Sequence, residues 1–165
     1  AGAKGAHSSS AFRFDAVFGP SATTNEVYER LGREVVDGVA RGVNGTIFAY
    51  GQTSSGKTYT MQGGATYGSA TPGVVQFAAE QIFAEIERRP DEDFLIRCSY
   101  LEVYNEQLRD LLSVSNETPH NNNNNNGEPN PKPPAIREDP VKGVFVDGAV
   151  EEVVTDAEAI VKLLK

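Results

Sequence analysis

Gly51-Gln52-Thr53-Ser54-Ser55-Gly56-Lys57-Thr58 is the stretch that most narrows what this chain can fold into. Its spacing is G-x-x-x-x-G-K-[ST]. Two glycines at that separation let the backbone curl until successive N–H groups face one concavity, a nest for phosphate oxygens. A helix starting directly behind the curl adds its unpaired amides and its positive dipole end to the same place. In that arrangement Lys57 reaches the β- and γ-phosphates, and the Thr58 hydroxyl is set to ligate Mg²⁺. The pattern demands a strand before it and a helix after it. Thr46–Tyr50 (TIFAY) is β-branched and aromatic, which predicts a buried strand, and a helix is predicted from about Gly56. The residues therefore point to binding of a nucleoside triphosphate with Mg²⁺.

The loop alone does not choose between a kinase, a GTPase, a transporter and a motor. A hydrolase also needs a carboxylate at the end of another strand and a group that positions water. Glu102 and Glu106 border a predicted strand and helix and read as structural. Asp91-Glu92-Asp93 reads as a solvated turn, and Cys98, mid-strand among apolar neighbours, as an inert core thiol. No catalytic residue is assigned within the chain.

Around the loop the pattern alternates between helices and strands. Residues 1–10 read as a flexible tail, and Ala11–Phe14 as a short strand. Thr23 and Glu26 form a capping-box pattern, followed by an apolar helical face of Val27, Leu31, Val35, Val36 and Val39 that stops at Gly42. Gln62–Pro72 interrupts the helix behind the loop. It resumes near Gly73 with Val75, Ala78, Ala79, Ile82 and Ile86 at helical spacing. Phe94–Tyr104 predicts a second central strand, and Asn105 a cap for a short helix carrying Leu108, Leu111 and Leu112. Residues 113–134, with the Asn121–Asn126 run and clustered prolines, read as an insertion loop. Ala135–Arg137 and Val144–Val146 predict a hairpin, and Glu151–Val154 an added strand. Thr155 with Glu158 predicts a capped final helix through Ile160, Leu163 and Leu164, still running at the end of the sequence.

Composition excludes several alternatives. Fifteen Lys and Arg against 23 Asp and Glu give a net charge of −8, with no basic block, so nucleic acid and anionic membranes are disfavoured partners. One cysteine cannot form an internal disulfide, and His7 and His120 have no ligand-spaced companion for zinc. No apolar run approaches the ~20 residues of a membrane span, and the first ten residues lack the apolar core of a signal peptide. The absence of an initiating Met reads as an internal start.

Asn44–Met61 (NGTIFAYGQTSSGKTYTM) resembles the kinesin phosphate loop with both its flanks. Phe12–Phe18 (FRFDAVF) is similar to that family's second strand, and Glu26-Val27-Tyr28 to its first long helix. Tyr100–Glu106 (YLEVYNE) with Asp110-Leu111-Leu112 looks like a second signature. Thr58-Tyr59-Thr60-Met61, Asp93–Arg97 and Ala135–Asp139 resemble the centromere-associated (CENP-E-like) branch and its plant relatives.

The resemblance implies residues 11–165 as part of a motor domain. Its fold would be an α/β, P-loop NTPase-type three-layer sandwich, a central mixed β-sheet with helices on both faces. It implies that Gln52–Thr58 wrap the phosphates of ATP or ADP, that Thr58 binds Mg²⁺, and that Tyr59 lies against adenine. The hairpin around Arg137 and Lys142 would touch tubulin, placing the protein in the cytoplasm on microtubules. Oligomeric state would be set outside this chain. The family's Arg-x-Arg-Pro strand and its switch segments, N-x-x-S-S-R-S-H and D-L-A-G-S-E, do not occur among these residues. The alternative is therefore a module that binds nucleotide or partners without hydrolysis. A small-molecule kinase would carry an arginine-rich lid after the loop, and Gln62–Pro72 contains no arginine.

Overall fold

The computed structural model describes residues 11–64, 71–113, 133–141 and 143–164. The expected tail at 1–10, most of the expected insertion and Lys142 lie outside them. The elements are α1 (Thr24–Val27), a π-helical turn (Tyr28–Gly32), α2 (Arg33–Ala40), α3 (Lys57–Gln62), α4 (Val74–Glu87), β1 (Ile96–Cys98), β2 (Leu101–Tyr104), β3 (Gln107–Asp110), β4 (Ala135–Asp139), β5 (Gly143–Asp147), β6 (Glu152–Val154) and α5 (Ala157–Leu163).

The first helical stretch begins where its sequence said it would. Thr23 Oγ1 accepts from the Glu26 amide at 3.2 Å, and the Glu26 carboxylate accepts from the Thr23 amide at 2.7 Å. That backbone bond holds the exposed Glu26 carboxyl below its ordinary range. Gly42, at φ +86°, ends the stretch. The side chain the helix buries most deeply is Tyr28, outside the expected valine face. The π turn inserts one residue into the helical phase and swings this ring inward. Gly32 makes the room, since a Cβ there would stand 2.5 Å from Tyr28 Cδ2.

Tyr28, Val36 and Val74 form the core cluster, with Ile47, Met61, Phe77, Ala78 and Ile82 packed on it half-buried. Tyr28 stacks on Phe77 with ring centroids 5.4 Å apart. The core thus lies between the first helical stretch and α4, the helix that resumes after the interruption.

The class is α/β, but among the described residues the strands pair as three separate antiparallel ribbons, β1–β6, β2–β3 and β4–β5, and do not close one central sheet. Thr46–Tyr50 and Ala11–Phe14 are not strands here. A strand is defined by a neighbour's hydrogen bonds, and among the described residues neither segment lies in a ladder. Phe48 and Tyr50 are 81% and 94% exposed, and only Ile47 and Ala49 of TIFAY are half-buried, short of the expected burial.

Phe94–Tyr104 is split rather than continuous. Ile96, Arg97 and Cys98 pair with Val154, Val153 and Glu152, whereas Leu101–Tyr104 folds back on Gln107–Asp110. The helix expected after Asn105 is β3 instead. Asn105 (φ +49°) and Glu106 (φ +62°) both take left-handed conformations, as a two-residue primed hairpin turn requires, and the chain reverses.

The hairpin β4–β5 and the added strand β6 form as predicted. The cap of α5 shifts one residue. Asp156 Oδ1, not Thr155, accepts from the Ala159 amide at 2.7 Å, in keeping with the stronger capping preference of Asp. Glu158 instead pairs with Lys162 at 3.1 Å, and α5 ends at Leu163.

Candidate functional site

The loop is built from the chain that precedes α3. Asn44-Gly45 seats the segment on α2, where a Cβ at Gly45 would lie 2.7 Å from Val35 Cγ1 and 2.8 Å from Val39 Cγ2. Residues 46–50 then carry the chain past the core, with Ile47 packed on it, to Gly51. Ser55 N donates to Gln52 O at 3.2 Å, closing a tight turn inside the loop. Ser54 (φ +64°) and Gly56 (φ +93°) both adopt the left-handed region. Gly56 is the N-cap of α3, and Lys57 its first residue. Thr60 N donates to Gly56 O at 2.8 Å, so the helix is formed from its first turn.

The Lys57 ammonium folds back over this turn and donates to Gly51 O at 2.8 Å and Gln52 O at 2.6 Å. Gly51, Gln52, Thr53, Ser54, Ser55, Gly56, Lys57, Thr58 and Tyr59 are thus contiguous around one curl. Most are exposed, with Gly51 and Lys57 half-buried and the Tyr59 ring 51% exposed. The Thr58 hydroxyl, in the first turn of α3, is a hard oxygen ligand of the kind Mg²⁺ prefers. Among the described residues no group of three His, Cys, Asp or Glu side chains is arranged to hold a metal. A Mg²⁺ here would draw its other ligands from phosphate oxygens and water, which is its usual habit at phosphate sites.

Behind the loop, α3 and α4 meet across a closed neck. Gly63 bridges Pro72, and Gly64 N donates to Thr71 O at 3.0 Å. Gly73 is buried there, and a side chain on it would meet the backbone of Met61 and Gln62.

Arg137 sits on β4 and donates from Nε to Asp147 Oδ2 at 2.6 Å, so its charge is locally balanced. It is far along the chain from the loop and does not join it. Glu102 is engaged with Arg109 at 3.7 Å across the β2–β3 ribbon, and Glu106 is a turn residue, which agrees with their structural reading. Burial raises the Cys98 thiol above its ordinary value, as suits an inert thiol.

Two residues have structural leverage that the sequence did not announce: Gln81 was not singled out, and Asp110 only as part of the second signature. Gln81 on α4 accepts from the Tyr28 hydroxyl and donates from Nε2 to Asp37 Oδ1 at 2.6 Å. Asp110 accepts from the amides of Leu112 (2.9 Å) and Val150 (2.6 Å). A tyrosine four residues before a glycine inside a helical pattern is the one local signal for the first. Nothing in the periodicity announces the second.

The family model for the kinesin motor domain matches residues 2–165. The chain belongs to the kinesin motor-domain family. It is 43% identical over 154 residues to human Centromere-associated protein E, covering 93% of this chain and 5% of that protein. To the Arabidopsis thaliana kinesin-like protein KIN-7N it is also 43% identical, over 151 residues, covering 92% of this chain and 16% of that protein. The equal identities do not single out one branch of the family. Among solved structures, the KIF14 dimer in its two-heads-bound state, with AMP-PNP and in complex with a microtubule, has a TM-score of 0.71 at 34% identity. That match covers 87% of this chain and 36% of the KIF14 chain, so this chain spans about a third of the length of that chain.

Proposed function

We propose that this chain is the nucleotide-binding part of an ATP-driven microtubule motor. The observation that carries the reading is the junction at Gly56-Lys57. A left-handed glycine caps α3 and the lysine opens it, directly after a curl whose residues match the phosphate-loop spacing. Gln52–Thr58 wrap the phosphates of ATP and retain them in ADP. The backbone amides bind oxygens, Lys57 exchanges its hold on Gly51 O and Gln52 O for the β- and γ-phosphates, and Thr58 holds Mg²⁺. Tyr59, half exposed beside the loop, stacks on adenine. Mg²⁺ held there by the Thr58 hydroxyl would supply charge neutralisation on the phosphates. What this chain contributes to turnover is positioning and positive charge. It assigns itself no general base.

AMP-PNP and a microtubule accompany the KIF14 match, which supports the same ligand and the same partner here. Cytoskeletal location in the cytoplasm follows from that partner. No helix among the described residues is long and apolar enough to cross a membrane. Arg137, which pairs with Asp147, and Lys142, outside the described residues, are the candidate contacts to acidic tubulin. The test is Lys57→Ala in the full-length motor. Microtubule-stimulated ATP turnover is expected to vanish, and retained turnover would overturn the assignment of the loop.

A further inference from the structure

Tyr28 is only 2% exposed, yet it carries a hydroxyl where a phenylalanine would fill the same space. A buried hydroxyl must be partnered or it costs stability. Its partner is the Gln81 side chain on α4, which accepts the hydroxyl proton through Oε1. The same amide donates through Nε2 to Asp37 Oδ1 at 2.6 Å and to Arg33 O at 3.3 Å. One side chain thus ties α4 to both the π turn and α2. The π turn and the missing side chain at Gly32 are what bring the ring to it.

The cluster beneath Tyr28 includes Ile47 and Met61. Ile47 precedes the phosphate loop by four residues, and Met61 follows Thr58 by three. The loop therefore hangs between two anchors seated on one cluster, and that cluster is pinned from the other side by the Tyr28–Gln81–Asp37 chain. We propose that Tyr28, through Gln81, is a positioning residue for the phosphate loop, setting the distance between the loop's two ends and so the fit of the loop to nucleotide. The proposal rests on the reading of Gly51–Thr58 as the nucleotide site. Deleting the hydroxyl leaves the ring and the core volume in place, and Gln81 still holds α2 through Asp37, but it cuts the tie between α4 and the π turn, which lets the Ile47 and Met61 anchors drift apart.

The experiment measures amide hydrogen exchange together with dissociation of a fluorescent ADP analogue in the full-length motor carrying Tyr28→Phe, Gln81→Met, both, or Lys57→Ala. Tyr28→Phe is expected to raise exchange across residues 46–62 and to weaken ADP binding about fivefold to tenfold, the effect of one net hydrogen bond, and Gln81→Met, which also releases Asp37 and Arg33 O, to do so by at least as much. The double variant is expected to be no weaker than Gln81→Met alone, because Gln81→Met already breaks the link that Tyr28→Phe removes. Exchange in the β4–β5 hairpin, remote from the cluster, is expected to stay unchanged. Exchange that rises equally in β4–β5 marks a general loss of stability and overturns the proposal, as does unchanged exchange at the loop, or loosened exchange with unchanged ADP binding. Lys57→Ala separates the underlying reading. If it leaves ADP binding intact, the site assignment falls, and the proposal with it.

Discussion

Lys57 and Gly51 stand at opposite ends of the phosphate loop, and the lysine ammonium closes the distance with a 2.8 Å bond to the glycine carbonyl. The bond draws the loop into a single curl with the first turn of α3 at its base. Its geometry depends on two left-handed residues, Ser54 and Gly56, and that dependence leads to the first prediction.

Gly56→Ala is expected to destabilise the protein by about 1–2 kcal/mol, the usual cost of a side chain in the left-handed region. Space is not the reason, since a Cβ at Gly56 meets nothing within 4 Å. A urea unfolding curve checks the magnitude. A neutral effect would mean that the loop does not hold Gly56 at φ +93°.

The β2–β3 turn gives an ordered series. Glu106, at φ +62°, pays a conformational cost that glycine does not incur and that a β-branched residue aggravates. Stability measured by chemical denaturation is expected to rank Glu106→Gly at or above the native residue, with Glu106→Val about 1–2 kcal/mol below it. Val above Glu would contradict a turn with two left-handed residues.

Asp110→Ala removes the acceptor for two backbone amides, those of Leu112 and Val150. Asp110 is 3% exposed, so the stranded amides find little water. The expected loss is roughly 2–6 kcal/mol, from about 1–3 kcal/mol for each of the two unsatisfied groups. Amide exchange at Val150 should accelerate with the unfolding midpoint. An unchanged midpoint would show that the bracket is dispensable.

Tyr28 gives the fold a dependence on alkaline pH. Burial pushes its phenol up to about 12, with Asp37, Glu29 and Glu80 adding to the rise and Arg33 opposing it. The folded state therefore holds the phenolic proton more tightly than the unfolded chain does. This contribution is fully present below the ordinary phenol value near 10 and is lost as pH rises from there toward 12. The slope ceiling is about 1.4 kcal/mol per pH unit. Tyr28→Phe should flatten the fall in stability over that window relative to the native protein, and identical slopes would count against the buried phenol.

How much of this was legible in the sequence divides along the range of the interaction concerned. The Thr23–Glu26 box, the Gly56-Lys57 helix start and the β4–β5 hairpin are set by residues close in sequence, and each formed as expected. Thr46–Tyr50 has the composition of a strand, but a strand needs neighbours, and composition does not supply them. Asn105 failed for a different reason. Asn serves both as a helix cap and as a left-handed turn residue, and only the reversal onto Gln107–Asp110 decides between them. Of the candidate site, the loop residues could be picked out because the G-x-x-x-x-G-K-[ST] spacing is local. The Tyr28–Gln81 link joins residues 53 positions apart and had no local signature beyond Gly32.

The most direct test of the account is calorimetric titration of the full-length motor with Mg-ATP, native against Lys57→Ala. Loss of the ammonium removes the one side-chain cation of the loop, and charge-assisted bonds to phosphate are worth about 1.5–3 kcal/mol each. The predicted result is an affinity lower by at least about tenfold in Lys57→Ala, with an unfolding midpoint close to native. Equal affinities for the two proteins would contradict the assignment of Gly51–Thr58 as the phosphate cradle.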